Sequence, residues 1–174
     1  NVYNALAAIA CGLARGLDPD TISSGLQSLK GVPGRFESVD EGQPFAVIVD
    51  YAHTPDSLEN ILREAQRLGP GNLTVVFGCG GDRDRSKRPV MGKIAAALAD
   101  RVIITSDHPR TEDAWDICKE IEEGILHEGQ PRLGYEIIID RTCAIERAIF
   151  LAEEGDVVVI AGKGHETYQI FHDA

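Results

Sequence analysis

Arg83, Arg85, Lys87 and Arg88 put four positive charges directly after the glycine turn Gly78-Cys79-Gly80-Gly81. Guanidinium forks and backbone N–H groups gathered at one turn suit a carboxylate or a phosphate. The turn's glycines are expected to bring the backbone close to a ligand and to adopt positive φ. The chain has 174 residues and a net charge of −11, so this is a local positive site on a negative body. Three other short segments carry comparable polar groups: Asp50-Tyr51-Ala52-His53, Ser106-Asp107-His108-Pro109-Arg110 and Ala161-Gly162-Lys163-Gly164-His165-Glu166.

Each segment has a bland reading beside the chemical one. Gly162-Lys163-Gly164 lacks the spaced upstream glycine and the following Ser/Thr of a phosphate loop, and Gly78–Gly81 misses the G-x-G-x-x-G dinucleotide fingerprint. Asp82 and Asp84 alternate with arginines, which oppose a divalent cation, so a solvated or ion-paired role fits them better. His53 and His165 are open to acid–base use near neutral pH or to ordinary polar stacking. His127 and His172 have no polar constellation around them. Arg110, set by the preceding Pro109, projects from a turn. Cys11, Cys79, Cys118 and Cys143 are scattered without C-x-x-C spacing and read as reduced thiols. Cys79, inside the glycine turn, is open to a reactive role, with a small residue accommodated in a tight turn as the favoured reading.

Alternating elements must position these groups. Helical spacing covers 1–15 and 22–29, with a start at Asp18-Pro19-Asp20-Thr21. The breaker cluster Gly31-Val32-Pro33-Gly34-Arg35 marks a boundary. Strands are expected at 46–50, 73–77, 102–105, 136–139 and 157–160, with a short last one at 168–171. Helices are expected at 55–68, 86–99, 113–127 and 143–154. Repeated β-α units with apolar strands predict an α/β fold, a mainly parallel open sheet with helices on both faces, preceded by a short helical leader. All four polar segments then follow strands, on the edge where such sheets place their sites. The acidic balance and sparse aromatics argue against nucleic acid and against an anionic membrane surface. No run has the length of a membrane span.

Gly31-Val32-Pro33-Gly34-Arg35, Val49-Asp50-Tyr51-Ala52-His53-Thr54-Pro55-Asp56, Val76 to Asp84 continuing through Lys87-Arg88-Pro89-Val90-Met91-Gly92, Asp107-His108-Pro109-Arg110 and Ala161 to Glu166 together resemble the C-terminal domain of the Mur ligases. The resemblance runs along nearly the whole chain and implies a Rossmann-like fold. It implies that 1–32 is the helical tail of a central ATPase domain and that 33–174 is the amino-acid-binding domain, cut short at its C-terminus. The family's phosphate loop, magnesium ligands and modified lysine would lie in that central domain, so this piece is expected to be inactive alone. The apolar faces of the leader would pack on that domain or pair between copies.

The resemblance also implies a cytoplasmic, ATP-dependent amide ligase of peptidoglycan synthesis. ATP phosphorylates the carboxylate of a UDP-MurNAc-dipeptide, and the amine of an incoming amino acid attacks the acyl phosphate. Its partners would be ATP, Mg2+ (both held mainly by the absent domain), meso-diaminopimelate and the two missing domains. Arg83, Asp107, His108, Pro109, Arg110, Gly162 and Glu166 are implied at the diaminopimelate. Asn1, Asn4, Arg35, Asp50, Tyr51 and His53 are implied at ATP, and no catalytic residue is assigned. Diaminopimelate differs from lysine by a second carboxylate at its far end, and Arg83 with Arg110 would clamp it. Glu166, with Asp107, would take the distal ammonium. His108 stands where these members usually have asparagine. Lys87 and Arg88 are open to phosphate contact or to capping and ion pairing. Other readings are a lysine-adding or murein peptide ligase, a nucleotide-binding oxidoreductase, and a non-catalytic nucleotide- or amino-acid-binding module.

Overall fold

A computed structural model describes residues 2–29 and 31–171. The chain divides into two compact units, Asn1–Val32 and Pro33–Ala174. The first holds helices α1 (Val2–Ala14) and α2 (Pro19–Ser28). Asp18 caps α2 by accepting from Thr21 N at 2.9 Å, and Pro19 takes the first helical turn, where a missing N–H costs nothing. Val2, Tyr3, Leu6 and Leu13 of this unit are exposed.

The second unit is an α/β sheet. In chain order it runs β1 (Glu37–Val39), β2 (Ala46–Asp50), α3 (Pro55–Ala65), β3 (Leu73–Phe77), α4 (Lys87–Leu98), β4 (Arg101–Ile104), α5 (Ala114–Glu128), β5 (Tyr135–Ile137), α6 (Arg141–Leu151) and β6 (Val157–Ala161). The strands lie in the order β1-β2-β6-β3-β4-β5, and all pairings are parallel except β1 with β2. Edge strand β1 was not foreseen, because its three residues are all exposed and carry no apolar alternation. The expected strand at 168–171 is instead an extended strap with one bridge, Phe171 to Arg110.

Period-two alternation splits the core. Ile48, Val75, Phe77, Val102, Ile104 and Val159 face α3, α4 and α5, whereas Val47, Val76, Ile103 and Val158 face α6. The chain steps toward β5 through α3, α4 and α5, then turns back through α6 to insert β6 between β2 and β3. Right-handed crossovers put a reversed step on the opposite face, which is where α6 lies. The carboxyl ends of β2, β6, β3 and β4 are therefore consecutive along one edge. Helices α4 and α5 pack backbone to backbone: a Cβ on Gly92 would lie 2.0 Å from Ile121 O, and one on Gly124 would lie 1.8 Å from Pro89 O.

Candidate ligand-binding site

A cleft of about 460 Å³ opens at that edge, lined by all four turns. Its walls include Tyr51 and His53 after β2, Gly80 and Arg83 after β3, Asp107, His108 and Arg110 after β4, and Gly162 and Glu166 after β6. Tyr168 and Ile170 of the strap close one side.

The glycine turn works differently from expectation. Gly78, Gly80 and Gly81 all have ordinary φ, and the left-handed backbone falls on Asp82, at φ 54. These glycines make room for the neighbouring turn: a Cβ on Gly78 would lie 2.1 Å from Thr105 O, and one on Gly81 would lie 1.9 Å from Pro109 O. A Cβ on Gly80 would lie 2.9 Å from Arg110 Nη1 and 3.7 Å from Arg83 Cγ, so both arginine side chains flank this residue. Arg110 Nη1 donates to Gly81 O at 2.7 Å, and Arg83 Nη1 to Asp82 O at 3.0 Å. Among the described residues, neither guanidinium has a carboxylate partner.

Arg88 is the opposite case. It is fully buried, and its fork donates twice to Glu112 at 2.8 Å, to Glu120 at 2.9 Å and to Gly80 O at 3.2 Å. The hydrogen bonds from Arg88 hold the Glu112 carboxyl at about 2. Of the two readings open for Arg88, ion pairing is the one seen. Lys87 Nζ donates to His53 O at 2.8 Å. Arg85 pairs with Glu120 at the surface, and Asp82 and Asp84 accept from Thr111 and Ser86. Cys79 is buried beside Met91, and desolvation pushes its thiol up to about 12, which leaves it unreactive.

A compact charged cluster stands at the β4 and β6 turns. Ile170 N donates to His108 Nδ1 at 3.0 Å, which makes that nitrogen an acceptor and leaves the ring N–H at Nε2, 2.8 Å from Glu166 Oε2. Lys163 Nζ lies 2.9 Å from His108 Nε2, 3.3 Å from Glu166 Oε2 and 3.5 Å from Asp107 Oδ1. With Nε2 already a donor, the lysine holds the cluster through charge on the two carboxylates. Burial raises the Glu166 carboxyl, but hydrogen bonds from His108 and Lys163 outweigh it and leave it below the ordinary range. Glu166 Oε1 meets only a long 3.4 Å contact from Tyr51 OH. Desolvation, then the Glu166 charge, raises the Tyr51 phenol. Asp107 Oδ1 is buried without a hydrogen bond. Asp107, His108 and Glu166 form a three-ligand group of the kind that holds metals, but the Lys163 ammonium within reach of all three makes it a poor fit for a divalent cation.

Of the implied ATP residues, Arg35, Asp50, Tyr51 and His53 lie together at the carboxyl end of β2. Tyr51 and His53 line the cleft. The Arg35 guanidinium stacks 4.8 Å from the Tyr51 ring centre. Both Asp50 oxygens accept backbone N–H groups, from Ala52 at 2.8 Å and Phe36 at 2.7 Å. Asn4 is on α1 in the other unit, and Asn1 lies outside the described residues, as does His172. Pro109 does not line the cleft, but its carbonyl oxygen abuts Gly81. Glu112, Glu120 and Lys163 were missed as site components. The available signal was Arg88 itself, which shares a helical stripe with Met91, Gly92 and Ala95 and so required a buried counter-charge.

Residues 34–164 match the family described as Mur ligase, glutamate ligase domain. A protein of Syntrophomonas wolfei subsp. wolfei named UDP-N-acetylmuramoyl-L-alanyl-D-glutamate--2,6-diaminopimelate ligase is 59% identical over 173 residues, covering 99% of this chain and 35% of that protein. A protein of the same name from Solibacter usitatus is 54% identical over 173 residues, covering 99% of this chain and 34% of its own length. A solved structure with that enzyme name aligns with 100% of this chain and 35% of its own, at 42% identity and a TM-score of 0.74. This chain thus spans about a third of the length of the relatives it matches. Matched over most of its residues, the chain belongs to the Mur ligase family, as its glutamate ligase domain.

Proposed function

We propose that this chain is the amino-acid-binding part of an ATP-dependent ligase that joins meso-diaminopimelate to UDP-N-acetylmuramoyl-L-alanyl-D-glutamate. The observation that carries this reading is the pair Arg83 and Arg110, flanking Gly80 in one cleft with no carboxylate of their own. Two unneutralised forks favour a carboxylate ligand. Glu166 Oε1, across the same cleft, is the acceptor for the distal ammonium, and Asp107 serves as the counter-charge of Lys163. A ligand with carboxylate and ammonium at its far end satisfies both walls, whereas lysine leaves the arginines unpaired.

The residue set at ATP is part of the same proposal. Tyr51, His53 and Arg35 offer an aromatic and cationic surface beside the cleft, and Asp50 keeps lone pairs beyond its backbone bonds. The Lys163 ammonium makes the Asp107–His108–Glu166 cluster a poor fit for Mg2+, which the absent central domain would hold. The chain's own contribution is to orient the attacking amine and keep water from the activated carboxylate; such orientation can supply roughly 7–11 kcal/mol at its upper end. Among the described residues the cysteines are free and no helix is long and apolar enough to cross a membrane; a cytoplasmic setting is part of the same proposal.

The test is the ligase containing this chain, assayed with ATP, magnesium, the nucleotide dipeptide and either diaminopimelate or lysine. Strong preference for diaminopimelate is expected, and equal use of both would overturn the reading.

A further inference from the structure

We propose that Arg88, Glu112, Asp82 and Thr111 form a positioning device that fixes the separation of the two arginine-bearing turns, and with it the ligand that the cleft accepts. The four residues form one continuous chain of bonds that runs from buried Arg88, bonded to Gly80 O, out to the exposed Asp82–Thr111 pair, and none of them lines the cleft. Arg88 grips both oxygens of Glu112. Glu112 Oε1 also accepts from Asp82 N at 2.6 Å, holding the backbone just before Arg83. The Asp82 carboxylate then crosses to the other turn, accepting from Thr111 Oγ1 at 2.6 Å and Thr111 N at 3.3 Å, just after Arg110. Gly81 N closes the loop by donating to His108 O at 2.8 Å.

Two features separate this arrangement from ordinary packing. Asp82 and Arg110 both hold left-handed backbone, at φ 54 and 53, although neither is glycine. Such conformations persist where their surroundings over-determine them, and the bonds to Glu112 and Thr111 do this at Asp82. In addition, a buried ion pair is often no more stabilising than an apolar pair of the same volume, so stability alone gives little reason to bury Arg88. Its planar fork supplies direction: it bonds Gly80 O, Glu112 and Glu120 at once, a geometry that a lysine ammonium does not reproduce.

The ligand part of this inference rests on the proposed function, and the positional part does not. The first measurement is therefore ligand-free amide hydrogen exchange on the whole chain, for the parent, Glu112→Gln and Thr111→Val. Thr111 is exposed, so its variant is not expected to unfold. Exchange at Asp82 and at Thr111 should accelerate together by about ten-fold or more in both variants, with β6 amides unchanged. Unchanged exchange at these turns, or uniform acceleration across the chain, overturns the proposal. The second measurement uses the ligase containing this chain. Glu112→Gln should raise KM for diaminopimelate about ten-fold and lower the preference over lysine, with KM for ATP unaltered. A purely structural pair would lower the active fraction and leave the preference intact, which also overturns the proposal. If the parent shows no preference for diaminopimelate, the substrate assignment fails and exchange still decides the positional claim.

Discussion

Arg88 has two carboxylates on its guanidinium and no exposed surface, whereas Arg110, on the rim of the same cleft, has only the carbonyl oxygens of Gly81 and His108. The two regions use one residue type differently. Around buried Arg88, with Glu112, Glu120 and the neighbouring Cys79 behind Gly80 (the floor), positive charge is cancelled internally and its directionality is what remains. On the rim, carbonyl dipoles orient Arg110 and Arg83 without cancelling their charge, so the charge stays available to an incoming anion. Charge count along the sequence cannot separate these cases, because what differs is the partner and not the residue.

The sharpest way to break this contrast is to remove the rim. A guanidinium fork making two hydrogen bonds to a charged group, at roughly 1.5–3 kcal/mol each, implies that Arg110→Ala should lower kcat/KM for diaminopimelate by on the order of 10²–10⁴-fold. Thermal stability and KM for ATP should change little. If steady-state assay and a melting curve instead show a large loss of Tm with the specificity ratio intact, Arg110 belongs with the floor.

Glycine substitutions sharpen the same line. The added methyl of Gly81→Ala would meet the Pro109 carbonyl, a backbone atom that cannot yield, and overpacking of this kind costs roughly 1–3 kcal/mol or more. Gly80→Ala meets the far end of the Arg110 side chain, which can swing aside. Denaturant unfolding should therefore show a clear loss for Gly81→Ala and a small one for Gly80→Ala. Ligand affinity should fall in Gly80→Ala, where the displaced group is the proposed ligand contact.

Much of this was legible in the sequence. The strands at 46–50 and 73–77 coincide with β2 and β3, because uninterrupted apolar runs bounded by polar turns leave few alternatives. Placing the four polar turns at strand carboxyl ends followed from that pattern alone. Strand β1 and the 168–171 strap were not legible, since both are short and depend on tertiary bonds: β1 pairs with β2, and the strap is tied through Gln169 to Ser106 and Asp107. The glycine turn's true constraint was hidden for a similar reason. Composition announces a close approach but not what approaches, and here it is the neighbouring carbonyls. Lys163 at the centre of the Asp107–His108–Glu166 cluster required knowing that two loops meet.

Acid titration probes the floor more gently. The Glu112 carboxyl lies at about 2 in the fold, against an ordinary value of 4.5. A depressed carboxyl contributes its full stabilisation above the unfolded value and loses it as pH falls toward the folded one. Stability should thus fall from about pH 4.5 toward about pH 2, and Glu112→Gln should flatten that part of the curve of Tm against pH. An unchanged acid limb would mean that the Arg88 fork is not what holds this carboxyl.

The smallest expected effect concerns thiols. Cys79 sits in the floor at 3.7 Å from the Met91 sulfur, and burial pushes it up to about 12, as it does for Cys118. At mildly alkaline pH, the thiolate fraction of such a group is of the order of 10⁻⁴, so an aromatic disulfide reagent should leave both untouched in the folded chain. Cys11 and Cys143 are exposed and should react. Two rapid equivalents in native buffer and four in denaturant are therefore expected. A third rapid equivalent assigned to Cys79 by peptide mapping would show that the floor opens to solvent. A floor that opens cannot hold the two rim arginines at a constant separation.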